Sequence, residues 1–90
     1  FSSIVRLRYA HTNRLFSEKE SLRYADLLRY QRDIRGVSNL RIMGPTPSYP
    51  FRLRGKHRWD VTVTGIEPVD FFQQISIPQG WNLDVDPVGP

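Results

Sequence analysis

Ninety residues with 39% hydrophobic and 12% aromatic content suit one small folded domain and argue against a disordered chain. No run approaches the ~20 apolar residues of a membrane span and no signal peptide opens the chain. The absence of cysteine rules out a disulfide framework or thiolate metal site and fits a reducing, cytoplasmic setting.

Residues 3–10 alternate, with Val5, Leu7 and Tyr9 on one side and Arg6 and Arg8 on the other, the pattern of a half-buried strand. A polar turn follows at His11, Thr12, Asn13 and Arg14. Ser17 with Glu20 three residues on is a capping box, which predicts a helix starting there. Leu22, Ala25 and Leu28 form its apolar stripe, and Gly36 is the expected stop. Residues 40–43 read as a short second strand with Leu40 and Ile42 inward. Residues 57–64 read as a third, with Trp59, Val61 and Val63 inward and Arg58, Asp60 and Thr62 outward. Glu67 then Pro68 predicts a cap and first position of a second helix, with Val69, Phe72 and Ile75 as its apolar side and Pro78 and Gly80 ending it. Trp81, Leu83 and Val85 alternate with Asn82, Asp84 and Asp86 as a fourth strand. The order β-α-β-β-α-β predicts an α+β, ferredoxin-like sandwich: one domain over 1–90, a four-stranded antiparallel sheet with two helices on one face. The usual strand order, 4-1-3-2, sets Arg6 and Arg8 beside Asp84 and Asp86 on the open face.

Between the second and third predicted strands lies GPTPSYPFRLRGKHRW, residues 44–59. Its prolines at 45, 47 and 50 disfavour helix and point to a stiff, extended arm. Arg52, Arg54, Lys56 and Arg58 alternate along it with no acid among them, and His57 can add a fifth charge. Alternation puts the four on one side of an extended ribbon, a shape that suits a phosphate backbone. The net charge is +4 with a pI near 10.0, and eleven of thirteen cations are arginine, whose planar fork suits phosphate better than lysine does. The bland alternative is a solvated loop.

Other chemistries find less support. Base stacking on the open sheet face would need outward aromatics, yet Trp59 and Trp81 share parity with the apolar side. Asp84 and Asp86 are flanked by arginines and have no histidine on their strand. His11 and His57 have no cysteine to complete a zinc site. No serine–histidine–acid spacing, glycine-rich phosphate loop or Walker run is present, so no catalytic or metal residue is assigned.

The opening FSSIVRLRYAHTN, the central MGPTP and RLRGKHRWDV, and the closing GWNLDVDP together resemble the C-terminal domain of the primosomal protein N-prime (PriA) family, bacterial replication-restart helicases. The resemblance runs in order along essentially the whole chain. It implies a parent enzyme that unwinds DNA 3′ to 5′ with ATP and magnesium and carries zinc on cysteines upstream, none of whose motifs fall in these residues. A start at Phe1 rather than methionine also points to a piece of a longer protein. The resemblance further implies a non-enzymatic domain that binds branched or forked DNA and docks on the helicase core. In that family a basic residue near the start of the second helix helps receive the acidic tail of single-stranded DNA-binding protein. Here that stretch is Glu67, Pro68, Val69, Asp70, which lacks the cation, so the cations of 52–58 stand as a substitute. The expected DNA contacts are Arg52, Arg54, Lys56, His57 and Arg58, with Arg6 and Arg8. A docking module for an acidic partner and an RNA-binding ribosomal-type protein are the competing readings.

Overall fold

The strand predicted at the start forms because Val5, Leu7 and Tyr9 all bury on one side while Arg6 and Arg8 stay in water. In the computed structural model, which describes residues 2–37 and 39–88, it is β1 (Ser2–His11). There follow α1 (Arg14–Ile34), β2 (Leu40–Leu53), β3 (Lys56–Ile66), α2 (Pro68–Phe72) and β4 (Trp81–Val88). The sheet is antiparallel throughout, in the order β2-β3-β1-β4, and the two helices pack chiefly on β1, β2 and β3. This is the expected α+β, ferredoxin-like arrangement with β1 between β3 and β4. The shortest dimension, 18 Å, matches one sheet and one helix layer. Between the layers lie Val5, Leu7, Tyr24, Ala25, Leu28, Ile42, Val61, Val63, Phe71, Phe72 and Trp81.

The first helix starts three residues before the predicted capping box. Asn13, not Ser17, is the cap: its Oδ1 accepts a 2.9 Å hydrogen bond from the Phe16 N–H. Ser17 lies one position into the next turn, fully buried, with its Oγ donating to the Arg14 carbonyl and accepting from the Trp59 indole N–H. Glu20 faces elsewhere, accepting from Arg23 and from Trp81 Nε1. The far end is as predicted: Val37 N–H bonds to the Arg32 carbonyl and Gly36 N–H to Asp33, closing the helix in a Schellman motif.

The second strand does not stop at Met43. Residues 44–53 continue it as the outer strand of a long hairpin, so there is no arm between strands. Three prolines are tolerated because β2 is an edge strand whose ladder is broken by register shifts between Met43 and Thr46 and between Pro47 and Arg52. At the first break Gly44 has φ 105°, and a Cβ there would meet the Asp60 carbonyl at 2.7 Å. Arg29 of α1 donates to the Gly44 carbonyl at 2.6 Å, tying the hairpin's lower half to the helix.

The second helix is shorter than predicted, but it starts where expected, with Glu67 before it and Pro68 at its first position. Glu67 is left-handed, with φ 54°, and its side chain caps nothing. Pro68, Phe71 and Phe72 form the buried side, as i, i+3 and i+4 neighbours must, whereas Val69 is exposed. Arg35 joins the two helices by donating to the Phe71 carbonyl and lying 5.0 Å over its ring. A five-residue helix covers little sheet, so Leu83 and Val85 on β4 keep more than a third of their surface in water despite inward parity.

Candidate nucleic-acid interface

The hairpin of β2 and β3 turns over Arg54 and Gly55, between the paired Leu53 and Lys56. Both turn residues have positive φ, 54° and 77°, the signature of a type I′ turn, which matches the twist of the strands it joins. This turn breaks the single cationic row expected from alternation. Arg52 lies on β2 opposite His57, Arg54 is at the tip, and Lys56 and Arg58 lie on β3 with the parity of Asp60 and Thr62. The cations cluster around the end of a two-stranded ribbon, since a chain that reverses cannot keep one edge.

Arg52, Arg54 and Lys56 are exposed. Among the described residues none of the four forms an ion pair with a carboxylate. Arg58 is half-buried and donates to the Pro50 carbonyl at 3.3 Å, bracing the outer strand. His57 stands apart from them: its ring lies 5.4 Å from that of Phe51, and its Nδ1 is buried with no partner. Phe51 also meets Trp59 edge-on at 5.2 Å, so the root of the cationic tip rests on an aromatic base.

Arg6 and Arg8 lie on the open face as expected, but both are engaged. Arg6 pairs with Asp86 of β4, and Arg8 Nε reaches Asp60 Oδ1 of β3 at 3.0 Å. That same Oδ1 accepts a 2.7 Å bond from Ser48 Oγ. A hollow of about 150 Å³ lies between Arg6, Arg8, Asn82 and Asp84. Both of its arginines are already paired, with Asp86 and Asp60, so it offers a polyanion far less than the hairpin end. The larger hollow, about 330 Å³, is lined by Arg32, Asp33, Gly36, Val37 and Leu40, at the other end of β2 from the turn. It is open, and Arg32 and Asp33 pair within it, so volume and available charge point to different places; charge is the better guide to a phosphate site.

Trp59 and Trp81 are buried under the helices, leaving no tryptophan on the open sheet face. Among the described residues no three His, Cys, Asp or Glu side chains gather closely enough to hold a metal, and no helix is long and apolar enough to cross a membrane. Two side chains near the tip are not singled out by the sequence pattern: Ser48, buried as an anchor, and Tyr49 beside it, almost wholly exposed. The only signal is their place in a proline-flanked bulge, where parity fails. A search against protein-family models gives no match for the sequence, and a search of curated proteins gives none.

Proposed function

We propose that the chain is a DNA-contacting accessory domain of a cytoplasmic replication-restart helicase of the primosomal protein N-prime kind. Its β2–β3 hairpin end meets the phosphates of branched DNA. Nucleotide hydrolysis, with its ATP and magnesium, and the zinc site belong to other parts of the parent, and no catalytic role is proposed for these residues. The observation carrying this reading is that Arg52, Arg54 and Lys56 stand exposed at a hairpin tip, without a carboxylate partner among the described residues. Arg54 adds to it. A left-handed position favours asparagine or glycine, so turn geometry does not account for arginine there. Phosphate contacts position a protein without reading sequence, as an enzyme acting at any locus requires.

The test is fluorescence anisotropy with a labelled forked duplex over a range of salt. Four engaged cations give a slope of log affinity against log salt of about −3.6, and replacing Arg52, Arg54 and Lys56 by alanine should reduce its magnitude by about 2.7. Unchanged affinity and slope would remove the hairpin from the interface.

Docking is supported by a separate observation. Leu15, Phe16, Leu22, Tyr30 and Ile34 of α1 remain exposed, which fits a face placed against a helicase core. The runner-up reading gives the cations an acidic polypeptide, such as the tail of single-stranded DNA-binding protein, in place of DNA. Titration with an acidic C-terminal peptide beside the forked duplex separates the two.

A further inference from the structure

Tyr49 is 96% exposed, far beyond any other large apolar side chain among the described residues. Its exposure is built by its neighbours. Between the pairs Pro47 with Trp59 and Arg52 with His57, β2 carries residues 48–51 where β3 carries Arg58 alone. The surplus is tied down on both sides of the tyrosine. Ser48, 4% exposed, donates to Asp60 at 2.7 Å, and the Pro50 carbonyl accepts from Arg58 at 3.3 Å. Phe51 closes the segment against Trp59. The backbone on either side is therefore held to β3, while the phenol ring has no place in the core.

A ring presented in this way loses little freedom when something stacks on it. Three residues along the same strand begin the cations Arg52, Arg54 and Lys56, the first within roughly 10 Å of backbone. Exposed aromatics beside unpaired cations match single-stranded nucleic acid, whose bases offer free faces while the phosphates take the charge. A duplex keeps those faces inside its own stack, and a run of Asp and Glu side chains offers none. We propose that Tyr49 is a stacking platform for an unpaired base, so that the hairpin binds single-stranded DNA beside a junction and not the duplex alone. This rests on the reading of the hairpin as a DNA contact and adds to it a class of substrate.

The experiment measures anisotropy of the 90-residue chain, and of Tyr49→Ala and Tyr49→Phe, with three labelled DNAs of equal length. They are a thymidine homopolymer, an abasic strand with the same phosphates, and a blunt duplex. Tyr49→Ala should weaken the thymidine strand about tenfold and change the other two by less than about twofold, with Tyr49→Phe close to the unaltered chain. Undiminished binding of Tyr49→Ala to the thymidine strand would overturn the proposal, and so would equal weakening on all three DNAs. The triple alanine variant at Arg52, Arg54 and Lys56 is run alongside. If it binds every DNA as tightly as the unaltered chain, the phosphate reading fails on its own account, whatever Tyr49 does.

Discussion

The indole N–H of Trp59 donates a 2.9 Å hydrogen bond to Oγ of Ser17, joining β3 to the first turns of α1 inside the protein. The Ser17 hydroxyl in turn donates to the Arg14 carbonyl, so one buried group both accepts across 42 residues of chain and donates within its own helix. Replacing Ser17 by alanine should cost about 1–3 kcal/mol, because the Trp59 donor is then left buried and unpaired. Urea unfolding measures it. Adding Trp59→Phe to Ser17→Ala should cost less than the two single changes summed. Strict additivity would show that the bond contributes nothing.

Arg54 is placed where stability and binding pull in opposite directions. Arg54→Asn puts a residue that tolerates the left-handed region before Gly55, the favoured pair for this turn. Stability should rise by about 0.5–1 kcal/mol, read as a higher urea midpoint at constant m. The salt slope for forked DNA should meanwhile shrink by about 0.9. A gain in stability with no change in slope would place Arg54 outside the contact.

How much of this was legible beforehand depends on how local the causes are. Alternation in Val5, Leu7 and Tyr9 and in Trp59, Val61 and Val63 is a local signal, and both strands and their parity follow from it, while the strand order follows from the usual layout of a β-α-β-β-α-β chain. The Schellman stop at Gly36 is equally local. The capping box at Ser17 misled because Ser-x-x-Glu has an equally good use one turn deeper, where the sheet supplies Trp59 and Trp81 as partners. The proline-rich stretch misled for a similar reason. Whether proline can join a sheet depends on edge position and bulges, which are settled by where β3 runs. The composition of the cationic cluster could be read directly, but its shape could not, since alternation says nothing of a reversal at Arg54 and Gly55. Tyr49 lies in the same blind spot: parity cannot assign a side to a residue in a bulge.

Acid should weaken the protein partly through Glu20. Its carboxyl is held below the ordinary 4.5, first by the hydrogen bond from Arg23 and also by that from Trp81, with burial acting the other way. A lowered folded value means this contribution is present above the unfolded value and fades as pH falls through the folded one. Glu20→Gln should therefore lose less stability than the unaltered chain between about pH 7 and about pH 3, in urea melts at each pH. Equal losses would show that the pairing is idle.

At the alkaline end the corresponding group is Tyr24. Burial pushes its phenol from 10.0 up to about 12, and its hydroxyl reaches the Ser76 carbonyl at 3.4 Å. The folded protein holds this proton more tightly than the unfolded chain does. Its contribution is intact below 10.0 and declines as pH rises toward about 12. Tyr24→Phe should flatten that decline, measured by thermal melts across the range; an identical alkaline profile would exclude the phenol.

The placement of β1 bears on the order in which the protein can assemble during synthesis. Its partners are β3 and β4, and its ladder to the latter joins Ser2 with Val88. As the ribosome releases the chain, α1 and the hairpin can gather early, but one flank of β1 stays open until residues 81–88 have emerged. Closure of that flank is a long-range step, so the sheet is completed only when the last strand arrives to meet the first.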